Sequence, residues 1–300
     1  MMAGVFWNDI FGEPATPLFD VEIVSLDGNE VHCLGNVQIK AHRSIKEVKK
    51  TDLILVTSIA PVDQAFDPFY DAIPWLINHY EKGAYIAGLC TGTFILAETG
   101  LLDGKVATTH WGYASQFQKR YPKVNLKPER LITEDDNLLC SGASNACLDL
   151  SLYLVEKFYG RDITVKLAKS YIQDMDRNSQ ALYSVFKFQK NHNDEVIKKA
   201  QDWIENNFAL KLNIEELAAK FAMGRRTFER RFKACTGDSP LLYAQRNRVE
   251  AAKALLETSN KTLEEVAYKI GYDDTGFFKK IFKKHVGSSP KAYQTKWAAK

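Results

Sequence analysis

Asn213–Pro240, NIEELAAKFAMGRRTFERRFKACTGDSP, and Thr262–Tyr293, TLEEVAYKIGYDDTGFFKKIFKKHVGSSPKAY, are two versions of one pattern. In the first, Ile214, Leu217, Ala218 and Phe221 fall at helical spacing, the buried stripe of a short helix. Leu263, Val266, Ala267 and Ile270 repeat that stripe 49 residues later. A glycine-containing turn follows each stripe. A second helix comes next, anchored by an i, i+4 pair: Phe228/Phe232 and Phe278/Phe282, offset by 50. Helix, tight turn, helix is the helix-turn-helix unit, and the pattern predicts it twice. From Asp194 onward the sequence is helical in pattern throughout.

Such a unit binds DNA when the outer face of its second helix fits a major groove. With Phe228 and Phe232 inward, Arg225, Arg226, Glu229, Arg230 and Lys233 are left on the outer face of the first. Arginine pairs bidentately with guanine, and glutamate accepts from cytosine N4. In the second unit Thr275, Gly276, Lys279, Lys280 and Lys283 face outward, and Asp274 reads as the helix N-cap. Lysines there are expected to bind phosphate more than to read bases. Between the units, Pro240–Thr258 predicts a rod of about 28 Å, close to the ~34 Å that separates successive major grooves. The competing reading is a helical bundle whose basic residues are merely solvated.

Charge agrees with the pattern without deciding it. The 300 residues carry a net +3, but residues 1–192 hold a net −4 and residues 193–300 a net +7. A basic C-terminal third on a mildly acidic body is a common outline of a nucleic-acid-binding module joined to something else. Hydrophobic residues at 45% and charged residues at 26% exclude a disordered chain. The longest uncharged stretch, Gly83–Ala97, is 15 residues with three glycines, short of a membrane span. The N-terminal MMAGVFWNDIFGEP lacks a basic n-region, so no secretory signal is expected. Five cysteines without a CxxC pair argue against a disulfide framework or a cysteine zinc site and for a reducing cytoplasm. No metal or cofactor is expected.

The carrying segments resemble, over residues 194–300, the DNA-binding domain of AraC/XylS-family transcription regulators. That resemblance implies base-edge contacts at Arg226, Glu229 and Arg230 and, from the second helix, at Thr275, Gly276, Lys279 and Lys280. Two departures stand out: Gly224 occupies the place of the family's usual serine cap, and Gly276 offers the groove no side chain. The second head is therefore expected to act mainly as a phosphate clamp.

The first part of the chain alternates β-rich runs with helical stretches. Asp20–Ser25, Asp52–Thr57, Ala84–Ala87 and Leu138–Ser141 read as strands; Phe69–Lys82, Gly92–Glu98 and Cys147–Phe158 read as helices. This predicts an α/β domain, mostly a parallel sheet covered on both faces, over residues 1–177. A linker follows at 178–193, and the helical module at 194–300. Gly88-Leu89-Cys90-Thr91-Gly92, between strand and helix, has the form of a nucleophile elbow that exposes Cys90 at a helix N-terminus. His110, in Thr108-Thr109-His110-Trp111, is a candidate spatial partner. The bland alternatives are a small buried thiol and a structural imidazole.

CTGTFILAETGLLDGKVATTHW and LLCSGASNACLDLSLYLVEKFYGR resemble the ThiJ/PfpI-like, class I glutamine-amidotransferase-like domain found fused to AraC modules, the GlxA-type arrangement. The family's sheet is flavodoxin-like, and its first strand, carrying an acidic residue near the cysteine, is expected to precede Met2. Two further departures point away from catalysis. Thr91 stands where the hydrolases place histidine, and Thr57-Ser58-Ile59 replaces a Gly-Gly oxyanion turn. The expectation is a cytoplasmic regulator and not an enzyme. A small metabolite, of the nitrogenous class the resemblance implies, would bind near Cys90, Thr91, His110 and Trp111. Double-stranded promoter DNA, a second copy of the chain and RNA polymerase are the other implied partners, with no membrane. The alternative is a Cys90-dependent amidase or hydrolase fused to a DNA-binding module.

Overall fold

The computed structural model describes residues 2–62, 69–186 and 188–298. It divides into two compact units, Met1–Gln180 and Ala181–Lys300. The first contains helices α1 (Phe6–Ile10), α2 (Ala72–Glu81), α3 (Gly92–Glu98), α4 (Ala114–Arg120), α5 (Ala146–Tyr159) and α6 (Arg161–Tyr171). Its strands are β1 (Val24–Ser25), β2 (Val31–His32), β3 (Gln38–Ile39), β4 (Arg43–Ser44) and β5 (Leu53–Val56), then β6 (Tyr85–Leu89), β7 (Val106–Ala107), β8 (Asn125–Leu126), β9 (Ile132–Asp135) and β10 (Leu138–Ser141).

The central sheet has the order β5-β6-β10-β9, parallel except for the antiparallel edge strand β9. Its side chains divide by the two-residue period of a strand. Ile54, Ile86, Leu138 and Cys140 join the core beneath α2 and α3, with Leu76, Phe94 and Leu96. Their neighbours Leu53, Ala87, Leu139 and Ile132 pack on the other face against Leu150 and Leu154 of α5. Both faces are covered, which is why the central strands read as continuous apolar runs.

Three of the expected strands hold their places to within one or two residues. The fourth shrinks: of Asp20–Ser25 only Val24–Ser25 is a strand, paired with Arg43–Ser44. Residue Ile23 donates its N–H to the His42 ring rather than to a ladder partner, and Val21 and Ile23 are left exposed. Alternating hydrophobicity suggested a half-buried strand where no second layer covers it. The helix read as Phe69–Lys82 begins at Ala72, and that read as Cys147–Phe158 runs Ala146–Tyr159.

The second unit is helical: α7 (Glu195–Asn206), α8 (Ile214–Lys220), α9 (Arg225–Thr236), α10 (Pro240–Thr258), α11 (Leu263–Lys269), α12 (Thr275–Val286) and α13 (Pro290–Trp297). The internal repeat is larger than the helix-turn-helix pattern. Ile197, Ala200 and Ile204 of α7 match Val249, Ala252 and Leu256 of α10 at an offset of 52, and all six are buried. Tyr243 and Tyr293, offset by 50, close the two cores. Each lies in a helix that begins with a serine cap and proline, Ser239-Pro240 and Ser289-Pro290. The expected connector is thus more than a rod. The start of α10 completes the first core through Tyr243 and Ala244, and its end founds the second through Val249, Ala252 and Leu256.

The segment read as a linker makes specific contacts. Gln180 is buried in the first unit, and Ser179 bridges to Arg130 there. Beyond it, Leu182 packs on the second helical core and Phe186 on the first. The carbonyls of Ser184 and Gln189 accept from Lys253 (2.7 Å) and Gln201 (3.0 Å), which are themselves equivalent positions of the two repeats.

Candidate nucleic-acid interface and ligand site

Helix α9 turns Phe228 and Phe232 fully inward, which fixes the outward face. Arg226, Arg230 and Lys233 are exposed and form no ion pair among the described residues. Arg225 is differently placed. Its guanidinium donates to Glu215 of α8 (2.6 Å) and to Glu229 (3.3 Å), so the glutamate expected to face cytosine is engaged with its own helix neighbour. The Arg225 hydrogen bond also holds the Glu215 carboxyl below its ordinary range. Glu215 lies 10 residues from Arg225 and went unread in the sequence, because only the fold brings the two helices together.

Arg231 is a brace of the same kind. It grips Asp194, the N-cap of α7, through two nitrogens at 2.9 and 3.0 Å. That pairing holds the recognition helix against the first helix of its repeat. The capping role of Asp194 was legible in sequence, being an aspartate just before an amphipathic run; its arginine partner was not.

Helix α12 presents Lys279, Lys280 and Lys283 to solvent, with Phe278 and Phe282 buried beneath. Thr275 is half-buried at its start. Asp274 caps the helix as expected: its Oδ1 accepts from the N–H groups of Gly276 (2.7 Å) and Phe277 (3.1 Å). A Cβ on Gly276 would sit 3.0 Å from that oxygen, so the cap leaves little room for a side chain there. By contrast, Gly224 caps α9 with no side-chain bond and open space around it. The turns differ too. The left-handed residue is Ala222 (φ 53°) in the first repeat and Gly271 (φ 83°) in the second.

In the first unit, the Gly88–Gly92 loop forms the expected strand-to-helix elbow. A Cβ on Gly92 would lie 2.3 Å from the Val56 carbonyl oxygen, and one on Gly88 2.8 Å from the Thr93 backbone. Both glycines are therefore demanded by close backbone approach. The expected exposure of Cys90 is not found: it takes a left-handed φ of 54° but is buried, only 6% exposed, with its N–H donating to the Ser141 carbonyl (3.0 Å). The hydroxyl of Thr91 is wholly occupied by Ile59: it accepts from the amide at 2.9 Å and donates to the carbonyl at 2.7 Å. The loop amide at Ile59, in the place of an oxyanion turn, is thereby consumed.

Thr109 brings the second candidate segment to the first, its hydroxyl donating to the Cys90 carbonyl (2.9 Å). His110 is half-buried, and its Nδ1 accepts from the Gly112 N–H (3.0 Å), fixing that nitrogen as unprotonated. The Trp111 ring lies 5.3 Å from the imidazole. Buried Gln180 anchors this stretch. Its Nε2 donates to the Thr109 carbonyl (2.8 Å) and its Oε1 accepts from the Trp111 N–H (3.4 Å). No sequence signal marked Gln180, which sits in a polar run. Cys140, by contrast, is a core thiol whose pKa burial pushes up to about 11.

Comparison with known proteins agrees with this division. A helix-turn-helix domain model matches residues 217–296, and a DJ-1/PfpI family model matches residues 16–157. The chain is 26% identical over 275 residues to the HTH-type transcriptional regulator GbdR of Pseudomonas aeruginosa, covering 91% of this chain and 74% of that one. It is 25% identical over 213 residues to the HTH-type transcriptional regulator GlxA of Rhizobium meliloti, covering 69% of this chain and 64% of that one. Among solved structures, it resembles a putative transcriptional regulator protein from Vibrio parahaemolyticus, with TM-score 0.49 and 20% identity over 56% of this chain and 86% of that one. Among the described residues, no helix is long and apolar enough to cross a membrane.

Proposed function

We propose that this chain, which joins a DJ-1/PfpI domain to an AraC-type helix-turn-helix module in the manner of GlxA-type regulators, is a DNA-binding transcription regulator controlled by a small metabolite. One observation carries the reading: two recognition helices, each with exposed cations that form no ion pair among the described residues, pack against one shared helix. Arg226 and Arg230 would read base edges, while Lys279 and Lys280 would grip phosphates. Glu229 then acts through Arg225 rather than on cytosine.

The effector would bind near Cys90, His110 and Trp111, a reading supported by the Thr109 hydroxyl that joins the two segments at the Cys90 carbonyl, with Thr91 serving the loop rather than the ligand. Residues 178–193 are the joint. Their first part is anchored beside Trp111 through Gln180, and their second part is docked on both helical repeats. A ligand that binds one arrangement of this joint better than another shifts DNA affinity by that difference. Homodimers that recruit RNA polymerase at promoter DNA complete the reading. The hydrolase alternative draws on the strained elbow at Cys90. It lacks an oxyanion donor at Ile59, whose amide already has a partner.

The experiment selects duplexes from a random pool with the full chain, then measures affinity for the selected duplex with and without amino acids and betaine-like compounds. Selection of one sequence family, together with a compound that changes affinity, is the expected result. Failure to enrich any duplex at modest ionic strength overturns the reading, as does amide turnover that Cys90→Ala abolishes.

A further inference from the structure

Arg248 lies near the middle of α10, between the residues that α10 gives to the first core and those it gives to the second. Its guanidinium spends its donors on three backbone carbonyls. Nε donates to Phe208 (2.6 Å), Nη2 to Leu210 (2.8 Å) and Nη1 to Gly271 (3.1 Å). Phe208 and Leu210 lie in the loop between α7 and α8, in the first repeat. Gly271 is the turn between α11 and α12, in the second. One planar fork, carried by the shared helix itself, therefore holds a loop of the first repeat and a turn of the second against one side chain.

The seat around this fork is close-fitting. Gly271 approaches the first repeat so nearly that a Cβ there would lie 2.1 Å from the Ala209 carbonyl oxygen. Phe208, a first-repeat residue, packs against the second repeat's core. Tyr272 lies under the guanidinium, with 4.9 Å between the Arg248 carbon and the ring centroid. Charge-assisted bonds to carbonyls are about twice as strong as neutral ones, and a planar fork fixes direction as well as distance. A helix alone leaves its ends free to bend gently. A cross-tie from loop to turn removes that freedom.

We infer that Arg248 is a positioning residue that locks the 208–210 loop to the Gly271 turn, holding the two recognition helices at one separation and making the protein selective for the spacing of two half-sites in duplex DNA. The inference rests on the DNA-binding reading above. One inserted base pair displaces a half-site by about 3.4 Å and rotates it by about 35°. Tied heads cannot follow that change, so the duplex must deform or one head must let go.

The test uses the full chain and the duplex it selects from a random pool, with its two protected half-sites and versions carrying one base pair inserted or deleted between them. The wild-type protein should lose at least about tenfold in affinity for the altered spacings. Arg248→Met should fold, as thermal melting would report, and should lose less than about threefold. Arg248→Lys, which keeps the charge but cannot reach three carbonyls at once, should behave like the methionine variant. A wild-type protein indifferent to spacing overturns the inference, and so do folded variants that keep the full penalty. Failure of both variants to fold overturns it too, because Arg248 would then be needed for the fold itself. A wild-type chain that selects no duplex defeats instead the DNA-binding reading beneath it.

Discussion

Phe228 and Phe278 are fully buried, as are Phe232 and Phe282, and each pair holds the same place in its repeat. The positions around them keep cations at Arg230/Lys280 and Lys233/Lys283 but otherwise differ in chemistry. Arg225, Arg226, Glu229 and Arg230 of the first repeat stand where the second has Thr275, Gly276, Lys279 and Lys280. The interiors obey one packing problem, in which a missing methylene leaves a void. The exteriors answer to whatever each helix touches. Two copies of one scaffold can therefore divide the work, one head carrying forked arginines and the other compact lysine charges. The tethering differs too. Arg231 ties α9 to Asp194 by a bidentate ion pair, whereas the matching Ile281 packs into its core.

The largest effect should come from breaking the shared interior. Phe232→Ala and Phe282→Ala should each cost about 3–5 kcal/mol in urea unfolding, the range for a buried phenylalanine. Costs differing by more than about 2 kcal/mol would show that the two cores are not energetic equals.

The exteriors should separate next. Arg226→Ala should cost about 1–3 kcal/mol on the selected duplex and relax its base preference. Lys280→Ala should weaken binding to all duplexes alike and lower the log–log salt slope by about one. Equal loss of cognate and random binding by Arg226→Ala would remove the division of labour between the heads.

Acid should sharpen the contrast within the buried layer. His285 occupies the place that Cys235 holds in the first repeat. Burial first, then the charges of Arg246, Lys284 and Lys253, push its pKa down to about 4. The imidazole is neutral in the folded state and protonates more readily when unfolded. Its contribution is therefore full above about pH 6.5 and is lost as pH falls through about 4. Hydrogen exchange between pH 7 and 4.5 should show the second repeat loosening before the first, and His285→Leu should blunt the difference. Loosening of both repeats together would assign the acid sensitivity elsewhere.

The smallest effect concerns the caps. Asp274 closes α12, but Gly224 leaves the start of α9 without a side-chain acceptor. Because the space beside Gly224 is open, Gly224→Ser should raise stability by a few tenths of a kcal/mol. A loss on melting would mean that the serine does not reach the free amides.

Much of the architecture was legible in the chain. Apolar residues every three or four positions announced α8, α9, α11 and α12, and the five residues from Gly88 to Gly92 announced the elbow. Asp20–Ser25 misled because alternation reports what a strand could bury, and Val21 and Ile23 have nothing over them. The wider repeat linking α7 to α10 is hidden because Pro240–Thr258 reads as a rod between the two helix-turn-helix units.

From the sequence alone came the two helix-turn-helix units, the α/β body, the contrast of charge between them and the outward cations. All of these follow from periods of two and 3.6 that local backbone geometry imposes. Only the tertiary structure decided which polar groups meet: Arg225 with Glu215, Arg231 with Asp194, Gln180 with Trp111, and Arg248 with three carbonyls. Such bonds join different elements, and their partners are selected by donors and acceptors that the fold brings within about 3 Å, a condition that no spacing along the sequence encodes.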